Sequence, residues 1–205
     1  MNFPSKLLEN AVNQLSSLPG IGKKSALRLV LQMIKKDKNT IHQFSNAFID
    51  LIDNISYCSE CYSISETEIC DICIDKNRDQ SIICVVEDIR VMMAIESTLE
   101  FKGRYHVLGG LISPMDGVGP EDLKIEELIQ KIDEENINEV ILALSTTMEG
   151  DTTNFYLYNK LNNKSINISS IARGISIGDE LEYTDEVTLG TAISSRLPYE
   201  NSLVK

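Results

Sequence analysis

Near the amino end, apolar residues recur at helical spacing in two neighbouring stretches. Leu7, Leu8, Ala11, Val12 and Leu15 share one helix face, and Ala26, Leu27, Leu29, Val30, Met33 and Ile34 take up the same period further on. Between them lies LPGIGKKSALRL, residues 18–29. There Pro19 discourages continuation of the first helix, and Gly20 and Gly22 permit a tight reversal with backbone angles other residues avoid. The pattern predicts a helix, a GxG hairpin and a second helix. Residues 39–56 predict a further amphipathic helix with Ile41, Phe44, Phe48, Leu51, Ile52 and Ile55 on its buried side and His42 as a surface or capping residue.

From residue 80 onward the period changes. SIICVVE (81–87) is a continuous, β-branched apolar run suited to a strand buried on both faces. A helical stretch (88–101), the strand YHVLGG (105–110) and another helical stretch (121–136) follow. The strand EVILAL (139–144), a helix over 152–163 and the strand INISSIA (166–172) complete the series. Strands alternating with helices predict an α/β unit with a mainly parallel sheet, whose function gathers beyond the carboxyl ends of the strands. The turn-rich segment GGLISPMDGVGPEDL (109–123) reads as a shaped surface loop. Cys84 reads as a buried strand residue, and His106 suits core or surface equally.

Composition adds a compartment and a charge map. With 205 residues, 42% of them apolar, the chain suits one large domain or two to three small ones. No apolar run approaches the roughly 18 residues of a membrane span, and no charged-then-apolar leader opens the sequence. A reducing cytoplasm is therefore expected, with cysteines as thiols or metal ligands rather than disulfides. The net charge of −12 argues against a surface coated for nucleic acid. Yet residues 1–38 carry +5 and the remainder −17, which points to one localised anion site. At the hairpin, Gly20 and Gly22 let a phosphate approach the backbone amides, while the second helix aims its dipole at it. Lys23, Lys24 and Arg28 add ionic contacts, so the device grips a DNA backbone without reading bases. A helical hairpin with solvated lysines is the plainer alternative; with its local charge, the stretch resembles the helix-hairpin-helix motif of DNA repair proteins.

Two CxxC pairs follow, Cys58 with Cys61 and Cys70 with Cys73. Each can sit on a tight turn with both sulfurs aimed at one centre, giving a closed tetrahedral zinc site. Four protein ligands leave no position for water, so the zinc is expected to be structural. Glu60, Glu66, Glu68 and Asp71 surround the thiols without a cation, which speaks against a DNA-reading finger.

Three acids fall at predicted strand ends. Glu87 closes the first, and STTMEGD places Glu149 and Asp151 two apart beyond the third, with a flexible glycine between them. They could converge on Mg²⁺, or they could simply be solvated acids. The layout resembles a Toprim domain, the metal-binding α/β unit of topoisomerases and primases. An enzyme of that type, carrying out Mg-dependent phosphoryl transfer on DNA, is the alternative reading. No GxxxxGK[ST] occurs, which excludes a P-loop ATPase.

Taken in order, LPGIGKKSA, CxxC…CxxC, ICVVE, SPMDGVGP, EVILALSTTMEGD and SIARGISIGDELEYTDEVTLGTAISSR resemble the RecR family of bacterial recombination mediators over nearly the whole chain. The resemblance implies an α+β chain of several parts: a helix-hairpin-helix domain (1–56), a four-cysteine zinc module (57–75), a Toprim-like domain (80–175) and a C-terminal segment for subunit contacts (176–205). It also implies a non-enzymatic, nucleoid-associated protein that forms a dimer or tetrameric ring on DNA. Such a protein acts with RecO, and in some settings RecF, to place RecA on gapped single strands. Lys23, Lys24 and Arg28 would face DNA, and Glu87, Glu149 and Asp151 would serve partner binding more than catalysis. Val91 stands where the family often has aspartate, Lys23 where proline is common, and Leu111 where histidine is frequent. Asp179, Gly190 and Ser195 depart in the last segment.

Overall fold

The computed structural model describes residues 3–199, which divide between two compact units at Ile55 and Ser56. In the first unit, α1 (Lys6–Ser16) and α2 (Lys23–Ile34) pack antiparallel through Val12, Ala26 and Val30, with Leu8, Ala11, Leu15, Ile21 and Leu27 around them. Ser5 caps α1, its hydroxyl accepting from the Leu7 amide. The reversal between the helices turns on Gly20, whose φ of +79° suits a residue without a side chain. Gly22 differs from expectation: its φ of −76° and ψ of 159° are open to any residue, so backbone conformation does not call for glycine there.

The third helix, α3 (Lys38–Asn54), starts where Asp37 accepts hydrogen bonds from the Thr40 amide and hydroxyl. Its expected buried face is a correction. Phe44, Phe48, Leu51 and Ile52 are exposed, Ile52 by 74%, and no residue of α3 is fully buried. Phe44 and Phe48 stack edge to face with centroids 5.0 Å apart, covering one another rather than a core. Helical period identifies an apolar stripe, but not what covers it.

The second unit is built on a four-stranded, wholly parallel sheet in the order β4 (Gly103–Val107), β3 (Asp79–Val86), β5 (Glu139–Ala143), β6 (Asn167–Ser170). A preceding ribbon, β1 (Ser56–Tyr57) with β2 (Ile64–Ser65), pairs antiparallel. The period of two along β3 divides the core. Ile83 and Val85 face one side, joined by Val140 and Leu142, with α6 (Ile125–Glu134) and α7 (Met148–Leu161) packed over them. Cys84 and Val86 face the other side, with Tyr105, Val107, Ala143 and Met92 of α5 (Ile89–Glu96). Tyr62 and Ile72 of the cysteine-rich segment pack onto this second face, so that segment shares a layer with α5. A short helix, α4 (Asp71–Ile74), carries Cys73, and α8 (Glu186–Ser194) closes the described chain.

Element ends differ from the pattern where backbone chemistry intervenes. The helix predicted over 88–101 stops at Glu96, and Leu99 beyond it takes a left-handed φ of 62°. Helix α7 begins four residues early because Thr147 caps it, its hydroxyl accepting from the Gly150 amide at 3.2 Å. The loop at 109–123 is ordered around a Ser113–Val118 bridge, with Ile112 and Leu123 buried beneath it.

Candidate metal centre and nucleic-acid interface

Cys58 and Cys61 come from one tight turn and Cys70 and Cys73 from another. Their sulfurs all lie within 4.8 Å of one another, Cys61 and Cys70 at 3.6 Å. Four sulfurs about 2.3 Å from a central zinc stand about 3.8 Å apart at the corners of a tetrahedron, so this donor set fits the ion. Mutual hydrogen bonding skews the thiols. Bonds from Cys61 and then Cys73 hold Cys70 far below the ordinary thiol range, whereas its bond with Cys70 pushes Cys61 up to about 11. The cluster can bind a structural zinc, which would hold all four as thiolates.

The first turn is fastened to the sheet. The Cys61 carbonyl accepts the Val107 amide at 2.8 Å, so it occupies the outer edge of β4. Lys131 of α6 donates to the Glu60 carbonyl at 2.6 Å and to its carboxylate at 2.8 Å, which lowers the Glu60 pKa. Tyr62 adopts a left-handed φ of 63°, a conformation rare for so bulky a side chain. Its ring meets His106 edge on with centroids 5.3 Å apart, and the Lys124 ammonium sits 5.3 Å from its centroid. His106 is completely buried, and its Nε2 lies 2.5 Å from the Lys124 carbonyl. A carbonyl only accepts, so Nε2 carries the proton and Nδ1 is left without a partner among the described residues. Burial pushes the His106 pKa down to about 4. Residue order assigned no anchoring role to Glu60, Tyr62, Val107 or Lys131; the one local signal was an aromatic residue directly after the first CxxC.

The strand-end acids do not form a group with all three ligand atoms within 4.8 Å of one another. Glu87 is half-buried past β3, with one carboxylate oxygen enclosed and unpaired among the described residues. Glu149 and Asp151 lie on the first turn of α7 rather than in a loop, where negative charge suits the helix dipole. Asp151 pairs with Arg173 at 2.5 Å, which lowers its pKa. Gly150 between them is no hinge. It is buried, and a Cβ there would stand 1.9 Å from the Ser145 carbonyl oxygen. Among the described residues, the four cysteines are the only group of three or more candidate ligands gathered at metal-binding distance. The three acids are therefore not gathered into one ligand cluster, and no step is assigned to a magnesium ion.

At the hairpin, Lys23, Lys24 and Arg28 are all exposed. Helix α2 starts at Gly22 with no side-chain cap and no acid in its first turn, which leaves amide donors free beside those cations. A Cβ at Gly20 or Gly22 would meet nothing within 4 Å, so the surface above both is open. The structure thus places Gly20, Gly22, Lys23 and Lys24 at one solvent-facing turn, with Arg28 exposed on the next turn of α2.

A helix-hairpin-helix unit followed by a four-thiol centre docked on a parallel α/β sheet defines a class of zinc-stapled, Toprim-bearing proteins. Family models agree segment by segment: RecR helix-hairpin-helix over residues 8–52, RecR four-cysteine zinc finger domain over 55–75, Toprim domain over 81–172 and RecR C-terminal over 174–196. Recombination protein RecR of Bacteroides fragilis is 55% identical over 201 residues, 98% of each chain. The Bacteroides thetaiotaomicron protein of that name is 58% identical over 194 residues, 95% of each, and that of Flavobacterium psychrophilum 54% over 202, 98% of each. The chain belongs to the RecR family. Among the described residues, no helix is long and apolar enough to cross a membrane.

Proposed function

We propose that this chain is a non-enzymatic, DNA-binding mediator of recombinational repair that works as a multi-subunit clamp. The observation that carries the reading is the uncapped start of α2, where free amides adjoin the exposed Lys23 and Lys24, with Arg28 exposed one turn further on, in an otherwise acidic protein. Phosphate oxygens of either strand can fill that corner, with Gly20 and Gly22 allowing close approach. Affinity from one such corner is small, and a closed assembly would sum several. The exposed apolar face of α3 supports assembly, since Phe44, Phe48, Leu51 and Ile52 lack cover within the described chain.

Residues 176–199 of the C-terminal segment are proposed to add subunit contacts; the rest of that segment, 200–205, lies outside the described residues. In this scheme Glu87, Glu149 and Asp151 meet basic groups on RecO, and on RecF where it takes part, so that RecA is loaded on gapped single-stranded DNA in the bacterial cytoplasm. Cys58, Cys61, Cys70 and Cys73 hold the structural zinc that stiffens the scaffold.

Size-exclusion chromatography with light scattering tests the scheme, with and without gapped DNA and RecO. A multimer that co-elutes with gapped DNA and shifts again with RecO is the expected result. A monomer that ignores both would refute it, and nicking of a supercoiled plasmid that Glu87→Gln abolishes would establish an enzyme instead.

A further inference from the structure

One sulfur contact in the thiol cluster crosses between the two turns. Cys61 and Cys70 lie 3.6 Å apart, while the Cys58 sulfur is engaged by the Cys70 amide at 3.3 Å. Cys58 and Cys61 are sealed at 0% exposure, whereas Cys70 reaches solvent at 8% and Cys73 is more open. The Ser63 hydroxyl sits 3.2 Å from the Cys61 sulfur and can turn to donate to a thiolate. A small oxidant therefore meets the second turn first, with a reducing partner directly behind it.

We propose that Cys61 and Cys70 form an oxidation site for peroxides, closing a cross-turn disulfide that releases the structural metal and frees the turn from the sheet. The Cys70 thiolate attacks one peroxide oxygen: an S–O bond forms, the O–O bond breaks, and hydroxide leaves to take a proton from solvent. The Cys61 thiolate then attacks the Cys70 sulfenic sulfur: the S–S bond forms, the S–O bond breaks, and a second hydroxide leaves and is protonated. Two thiolates, one peroxide and two protons become one disulfide and two waters, with two electrons passing from sulfur to oxygen. Only two thiol donors remain, too few for a closed zinc site.

The consequence follows from where Cys61 sits. Its carbonyl holds the Val107 amide at the edge of β4, and its neighbours Glu60 and Tyr62 hold Lys131 and His106. Drawing the two sulfurs from 3.6 Å to a bond of about 2.05 Å shifts that turn and loosens all three anchors together. A thiol reductant with zinc reverses the change.

The test uses zinc-loaded, full-length protein titrated with hydrogen peroxide. Released zinc is followed with a colorimetric chelator, and bridges are mapped after cleavage at Glu60, Glu66, Glu68 and Asp71, which separates the four thiols onto different peptides. One zinc per chain should leave in step with a crosslink between the Cys61 and Cys70 peptides, reversed by dithiothreitol plus zinc. Cys84, buried in β3, should remain a free thiol throughout. Hydrogen exchange at the Val107 amide should quicken at least tenfold in the oxidised form. A bridge within either CxxC, sulfinic acid without a crosslink, or zinc retained under peroxide would each overturn the proposal.

Discussion

Neutralising the hairpin cations gives a quantitative handle on the DNA-binding reading. Lys23, Lys24 and Arg28 are exposed and carry no ion pair within the described chain, so Lys23→Gln, Lys24→Gln and Arg28→Gln should each change stability by less than about 0.5 kcal/mol. Each phosphate contact contributes about 0.7 to the slope of log affinity against log salt on single strands and about 0.9 on duplex. Removing three should therefore flatten that slope by about 2 on single strands and about 2.7 on duplex for every subunit engaged. Between 50 and 200 mM salt, the advantage of the wild-type chain over the variant should shrink roughly twentyfold on single strands. Fluorescence anisotropy over that range, with a melting curve to confirm folding, is the assay. An unchanged slope would mean that phosphates lie elsewhere and that these cations are merely solvated. A sequence-dependent loss would mean that the corner reads bases, against its geometry.

Further expectations concern the scaffold. Gly150→Ala forces a Cβ to 1.9 Å from the Ser145 carbonyl oxygen, a backbone atom that cannot swing aside, and should cost about 3 kcal/mol or more in a thermal melt; an unchanged midpoint would show that the β5–α7 turn yields. His106 binds a proton less readily folded, with a pKa near 4 against an unfolded value of about 6.5, so its contribution is complete above pH 6.5 and is lost as pH falls towards 4. Between pH 7 and 4.5 the wild type should lose about 2 to 3 kcal/mol more than His106→Gln in urea melts, and parallel losses would contradict the buried neutral imidazole. Phe48→Glu, on an exposed site, should leave the fold intact yet shift light scattering towards smaller species; an unaltered mass would remove the α3 face from assembly.

Much of the site was visible in residue order because its determinants are local. Paired CxxC spacing places two sulfurs on one turn whatever surrounds them, and GxG followed by KK sets amides beside cations within a single helical turn. The strands were legible for a similar reason, since the unbroken apolar run Ile83–Val86 reports two covered faces directly. Residues whose meaning depends on how the chain folds onto itself were not. Gly150, whose contact is only five residues back, looked flexible because residue order does not show the β5–α7 turn folding the Ser145 carbonyl onto it. His106 stayed undecided until Tyr62 and Lys124, from two other elements, enclosed it. The stripe on α3 was read as core because amphipathicity records a preference for burial, not its fulfilment.

Residue order alone thus determined the repertoire: which segments curl, which extend, which atoms can hold zinc and where positive charge collects. These follow from steric period, side-chain chemistry and short spacings, all properties of neighbouring residues. Tertiary structure alone decided that the cysteine turn rests against β4 and α6, that three strand-end acids are not gathered into one ligand cluster, and that α3 presents its apolar face outward. Those outcomes depend on contacts between residues far apart in the chain, where packing and desolvation, not local preference, select among partners.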